Sequence, residues 1–159
     1  MKFTNSIIYL KNIIIYWALI GGGLLLFLLL INVFGIAFDN ITQNVPYTPY
    51  ELIQFLMPVI IFNFLPYCEL RSAHITFDYF IERFEKRVIL LLSIIKSTIV
   101  ILISTYILHQ MIYGMIDYYS FGYETVIMSI PIWLSYPPIL MSLFLLILAA
   151  IINIKEEIS

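Results

Sequence analysis

Two titratable side chains, His74 and Asp78, stand four residues apart and would share one face of a helix. They could hydrogen-bond to each other or give two ligands to a metal, but a metal site of this kind needs a third ligand. His109 falls near the far end of another apolar block, and the single cysteine, Cys68, forms no CxxC or Cys/His spacing. We therefore expect a structural pair close to Arg71, or a contact with a partner protein or lipid headgroup, and no metal, cofactor or catalytic site.

One further charge, Lys96, interrupts an otherwise apolar stretch. It follows Arg87 by nine residues, which places it ~13 Å along a helix at ~1.5 Å per residue. Two interpretations are open. The long side chain can extend back to the aqueous interface, or it can make a polar contact with a partner protein or a lipid headgroup.

Three consecutive glycines, Gly21, Gly22 and Gly23, remove the side chains from one turn of the first apolar block. In lipid, small residues let two helices approach closely, so this turn is a candidate for packing against another helix of the chain or of a partner. The alternative is a local weak point in the helix.

The elements that carry these residues follow from the composition. Of the 159 residues, 62% are hydrophobic and 11% charged, whereas soluble domains are about 45–50% apolar and about 25% charged. The composition predicts an integral membrane protein, and it leaves no room for a soluble catalytic or nucleic-acid-binding domain. A spanning helix needs about 20 apolar residues. The apolar blocks predict a single membrane domain over 1–159 with four transmembrane helices, at 12–38, 52–68, 88–113 and 132–154.

An amphipathic segment separates the second block from the third. Its aromatic and aliphatic residues recur at helical spacing among charged ones, which predicts a helix over 74–87 that lies on the membrane surface. This helix would be either a plain connection or a docking surface for a partner.

Lysine and arginine predict the orientation, because short loops rich in them stay cytoplasmic. They lie before the first block, in the segment 71–87 and after the fourth block, while the loops 39–50 and 114–130 contain none. We therefore predict an all-α integral membrane protein with both termini and the amphipathic surface helix on the cytoplasmic side.

A secondary transporter needs ionisable or polar groups near the middle of the bilayer. Asn32 and Asn63 lie within predicted spans, but neither is a coupling site alone, and each Asp or Glu is expected at or beyond a helix end. A chain of this kind is not expected to transport a solute by itself.

Three motifs carry a resemblance to a known family. They are Arg71, Ser72-Ala73, His74-Ile75 and Asp78 after the second block; Tyr50-Glu51 at its start; and Ile130-Pro131-x-Trp133-x-x-Tyr136-x-Pro138 before the fourth. In this order and spacing, over roughly residues 50–146, they resemble the small permease subunit of the tripartite ATP-independent periplasmic (TRAP) transporters. Ser72-Ala73 replaces a glycine that is common in that family.

The resemblance implies a multi-pass scaffold in the bacterial inner membrane for a large multi-helix permease, which carries the substrate and sodium sites. It also implies a periplasmic solute-binding protein that delivers the substrate, mainly organic acids. We expect membrane lipids to be a further contact of the chain and expect no binding of nucleic acid. No GxxxxGK[ST] sequence is present, so an ion gradient would supply the energy. Two alternatives are a scaffold subunit of an unrelated membrane complex and a small membrane-embedded lipid enzyme, which would need several acids, bases or metal ligands on one face.

Overall fold

The computed structural model describes residues 2–42, 49–71 and 86–158. Within these ranges the chain forms four α-helices and a short 3-10 helix, and each α-helix contains, or largely consists of, a stretch long and apolar enough to cross a membrane. The prediction of a helical protein with four helices able to span a membrane is confirmed. The helices are α1 (Lys2–Thr42), α2 (Pro49–Leu70), α3 (Lys86–Phe121) and α4 (Tyr136–Ile158), with the 3-10 helix at Ile132–Ser135.

Helix α3 continues beyond Tyr113, where the apolar pattern had placed its end, as far as Phe121. Gly114 does not stop it, because this glycine faces the ring of Tyr136, and an added Cβ would lie 3.2 Å from a ring carbon. The glycine therefore serves close packing between α3 and the start of α4 rather than a turn.

The stop of α3 is Gly122, which has a φ of +64°. The Tyr123 N–H donates back to the Tyr118 carbonyl oxygen at 3.3 Å, and the two aromatic rings lie 5.3 Å apart. A glycine in the left-handed region, followed by a residue whose N–H bonds to the carbonyl oxygen five residues earlier, is the Schellman motif that ends many helices. An apolar contact between the same two residues often accompanies it.

Prolines shape the entry to α4. Pro131 precedes the 3-10 helix, and Pro137 and Pro138 occupy the first turn of α4. The first turn tolerates proline because its N–H groups have no partner within the helix. The chain therefore enters the membrane-spanning helix through a short 3-10 turn, and the regular helix begins at Tyr136.

The helices contact one another in the order α1, α2, α4, α3. Helix α1 packs on α2, α2 on α4 and α4 on α3, while α1 meets α4 over a short stretch. Helix α4 is the most buried of the four: within the most apolar 18-residue stretch of each helix, 50% of the residues are buried in α4 and 11% in α3. The two outer members of this series, α1 and α3, therefore present broad apolar surfaces.

Apolar side chains of α2 and α4 form the centre of the molecule. Val59 packs with Ile139, Leu143 and Leu146. A second cluster joins Ile14 of α1 to α4. Most of the buried apolar side chains belong to α4, and several of the polar contacts described below join this helix to its neighbours.

Two predicted features remain predictions. Residues 74–85 of the predicted surface helix lie outside the described residues, and Lys86 and Arg87 begin α3. The structure contains no membrane, so the cytoplasmic placement of the termini is also an expectation. We call the side where α1 begins and α4 ends the termini side, and the side where residues 122–131 connect α3 to α4 the hairpin side.

Candidate functional site

On the termini side, a buried carboxylate joins α2 to α4. The side chain of Glu69, in the last turn of α2, is fully buried. Asn153 of α4 donates from Nδ2 to the Glu69 backbone oxygen at 2.6 Å and to its Oε1 at 3.1 Å. A carboxylate taken out of water needs such partners, because its desolvation costs several kcal/mol.

Lys96 of α3 supplies the opposite charge. Its Nζ lies 3.6 Å from Oε1 of Glu69, and about a third of its side chain (35%) is exposed. Besides extension to the interface or contact with a partner or lipid, Lys96 thus has an ion pair within the chain. We call Glu69, Lys96 and Asn153 the charged cluster; it connects α2, α3 and α4.

A neutral chain of hydrogen bonds crosses the interior. The Trp17 indole Nε1–H donates to the Ser142 hydroxyl at 2.8 Å. That hydroxyl lies 2.8 Å from both Asn63 Oδ1 and the Pro138 carbonyl oxygen, either of which can accept its proton. Since Asn63 and Ser142 are each 1% exposed, these bonds fix the register of α1, α2 and α4 within apolar surroundings.

Within the triple glycine, α1 comes close to α2 at Gly21. A Cβ built there would lie 2.8 Å from the Asn63 Cβ, whereas the nearest atom at Gly22 is a ring carbon of Phe64 at 3.9 Å and Gly23 has nothing within 4 Å. Only Gly21 is therefore required for α1 to reach α2, and it does so beside the neutral chain.

On the hairpin side, Glu51 in the first turn of α2 holds the α3–α4 connection. Its Oε1 accepts the N–H of Ile127 at 2.7 Å, and its Oε2 accepts the N–H of Met128 at 2.9 Å. Two adjacent N–H groups directed at one carboxylate form an anion-binding nest. The second residue of the Tyr50-Glu51 motif thus has a structural role in this chain.

The remaining predicted residues are located as follows. Arg71 is exposed after α2, with its guanidinium carbon 5.6 Å from the centre of the Tyr67 ring. His74 and Asp78 lie outside the described residues, so their pairing stays a prediction. An additional ion pair, Lys11–Glu156, ties α1 to α4 on the termini side.

Sequence reasoning missed the burial of Glu69 and the roles of Ser142 and Asn153. In the sequence, Glu69 directly follows the predicted span 52–68, and a carboxylate at the end of an apolar block normally lies in water. A signal was present, because a lone glutamate ending one block and a lone lysine inside the next are complementary charges in apolar surroundings. Their pairing required the two helices to be close in space, which periodicity does not indicate.

These contacts connect helices rather than expose reactive groups. In both the charged cluster and the neutral chain of hydrogen bonds, the polar side chains bond to other residues of the same protein. Among the residues that the structure describes, no three His, Cys, Asp or Glu side chains are grouped to hold a metal ion. The arrangement is suited to holding the four helices in a fixed relation within a membrane.

Comparison with known proteins identifies the family. Residues 25–159, well over half of the chain, match the family described as tripartite ATP-independent periplasmic transporters, DctQ component. No curated protein and no solved structure matched the chain. The resemblance based on the Arg71, Tyr50-Glu51 and Ile130-Pro131 motifs is confirmed by this match. With four helices able to span a membrane, the chain is a multi-pass membrane protein that belongs to the DctQ family, the small membrane component of TRAP transporters.

Proposed function

We propose that this chain is a non-catalytic scaffold for a large permease subunit in the bacterial inner membrane. The large subunit carries the substrate and coupling-ion sites, and a periplasmic binding protein delivers organic acids to it. A sodium gradient drives uptake, and both termini of the small subunit are cytoplasmic. Family membership supports the role in a transporter. The proposal that this chain is a scaffold and not the transporting subunit is based on its own contacts.

The engagement of the most buried polar groups with one another carries the proposal. A transport site needs polar or ionisable groups at membrane depth that can exchange their partners for a solute or an ion. In this chain Asn63 bonds with Ser142, and Glu69 bonds with Asn153. These groups stabilise the chain itself, which favours a supporting rather than a transporting role.

The exposed apolar surfaces support a membrane partner. Helix α1 exposes large side chains such as Leu26 and Phe34, and α3 exposes Leu102 and Tyr106. In the membrane these surfaces contact lipid or another apolar protein. A large permease fits part of this area, since van der Waals packing and small-residue contacts drive helix association in lipid.

Reconstitution tests the proposal. The tagged chain is co-expressed with a candidate large permease and periplasmic binding protein from the same genome, purified in mild detergent and placed in proteoliposomes. We expect the large permease to co-purify and labelled organic acid to enter only with the binding protein and an inward sodium gradient. Failure to recover a large membrane protein, or full uptake without this chain, would contradict the scaffold role.

A double variant separates scaffold from transport site. Asn63→Leu with Ser142→Ala removes two members of the neutral chain, and it should lower the yield of complex. Per recovered complex, the KM for the organic acid and the sodium dependence should stay unchanged. Thr98→Val is the control, because this exposed hydroxyl donates within its own helix to the Ile94 carbonyl oxygen. An altered KM in the double variant alone would place substrate contacts in this chain.

A further inference from the structure

The connection between α3 and α4 is a hairpin whose backbone N–H groups bond within the connection and to Glu51. Thr125 N–H donates to the Ile130 carbonyl oxygen at 2.9 Å, and Ser129 N–H donates to the Thr125 carbonyl oxygen at 3.1 Å. The Ile130 N–H donates to Thr125 Oγ1 at 3.0 Å. The connection is therefore an ordered turn with its own hydrogen bonds.

Three residues at the turn, Val126, Ile127 and Met128, form what we call the tip. Glu51 accepts the N–H groups of Ile127 and Met128 through its two carboxylate oxygens. The side chains of the tip point away from this nest: they are 94%, 62% and 46% exposed, respectively. The turn thus pairs the N–H groups of Ile127 and Met128 with a carboxylate, while its three apolar side chains remain exposed.

The depth of the tip follows from its contact with Glu51. Glu51 begins the apolar stretch of α2 that can span the membrane, so the tip lies level with the first turn of that helix. At the same end, the rings of Tyr119 and Trp133 meet edge to face at 5.5 Å. Aromatic residues of this kind gather at the membrane–water interface.

We propose that the tip inserts among the lipids of the leaflet on the hairpin side, at the boundary between headgroups and acyl chains. Backbone N–H groups at that depth need partners within the protein, and those of residues 125 and 127–130 have them in Glu51 and in the turn itself. A water-soluble partner fits less well, because its contact surfaces carry a polar rim. By contrast, the sequence has no charged residue between Glu124 and Lys155.

Spin-label accessibility tests this proposal with the full chain in lipid nanodiscs, alone and with any co-purified permease. In a Cys68→Ala background, a nitroxide is attached at Val126→Cys or, as the matched control on the same hairpin, at Glu124→Cys. The label at 126 should collide readily with oxygen, and its collisions with a water-soluble nickel chelate should be at least about fivefold fewer than at 124. Equal access of the chelate at the two positions would overturn insertion.

Protein contact gives a different result. A label at 126 shielded from both oxygen and the chelate in the complex, but not in the chain alone, would assign the tip to the permease and overturn the lipid proposal. Glu51→Gln is a second variant, since its amide cannot accept both N–H groups through two oxygens. It should move chelate access at 126 toward the value at 124; an unchanged value would overturn the role of the nest. The lipid contact does not rest on the proposed function, so each can fail alone.

Discussion

Helix α2 carries one carboxylate near each end, and the two are used in different ways. Glu69, in the last turn, is fully buried and faces the side chains of Lys96 and Asn153. Glu51, in the first turn, is partly exposed and faces two backbone N–H groups of the hairpin. Glu69 therefore contacts side chains of other helices, one of them oppositely charged, whereas Glu51 binds the backbone of a loop.

The two carboxylates should therefore affect different properties: Glu69 the stability of the whole helix assembly, and Glu51 the order of the hairpin alone. The charged cluster joins three helices, so its loss should weaken the entire assembly. The nest at Glu51 holds one connection whose flanking helices, α3 and α4, are already packed together. Its loss should be felt mainly in the hairpin.

The largest effect is expected for Lys96→Met. This change removes the ammonium group 3.6 Å from the buried carboxylate. Removing one partner of a fully buried pair costs about 3–5 kcal/mol, and because Lys96 is partly exposed we expect about 2 kcal/mol here. The free energy of unfolding, measured by detergent-induced denaturation in mixed micelles, checks it.

The matched control for this change is Glu69→Gln combined with Lys96→Met. With the carboxylate neutralised, no charge is left buried beside the missing ammonium, so the double variant should recover part of the lost free energy. If the two variants unfold at the same free energy, the ion pair does not contribute as described.

An intermediate effect is expected at the middle of α2, where contact depends on shape instead of charge. Gly21→Ala places a Cβ 2.8 Å from the Asn63 Cβ, which forces α1 and α2 apart at a cost of about 1–2 kcal/mol. Gly23→Ala is the control, because nothing lies within 4 Å of its added Cβ. The same denaturation measurement applies, and equal losses for both glycines would contradict a specific contact at Gly21.

The smallest and most local effect is expected for Glu51→Gln. The midpoint of thermal unfolding should stay close to that of the unchanged protein. The Ile127 and Met128 amides should exchange their hydrogens on the order of tenfold faster, because each loses a bond to a charged acceptor. Glu124→Gln, which makes the same change on the exposed carboxylate of the hairpin, is the control and should leave these two amides unchanged. A global loss of stability in Glu51→Gln would remove the distinction between the two ends of α2.

Four helices able to span a membrane, as found in the described residues, could be predicted from the sequence because the lipid environment favours them. A spanning segment must satisfy its own backbone groups, so long apolar blocks become helices. The end of α3 was harder to predict. Gly114 and Gly122 are equally plausible stops by sequence, and the difference arises from Tyr136, which packs on Gly114 from the start of another helix.

The polar contacts were the least predictable part. Asn63 was recognised as a polar residue within a span, but its partner Ser142 lies 79 residues later. The pairing depends on which helices are neighbours, and apolar periodicity in lipid does not encode neighbours since most faces are apolar in any arrangement. The triple glycine indicated a close approach of two helices, and in the structure that contact lies at Gly21.

The placement of α4 between α2 and α3 has a consequence for biogenesis. Of the four helices α4 is synthesised last, yet it is the one that α2 and α3 both pack against. The first three helices can enter the membrane in turn, but α3 gains its main neighbour only when α4 arrives, and Asn153 completes the charged cluster at the same time. A nascent chain stopped before Tyr136 would therefore expose to lipid the face of α3 that packs on α4 in the finished protein.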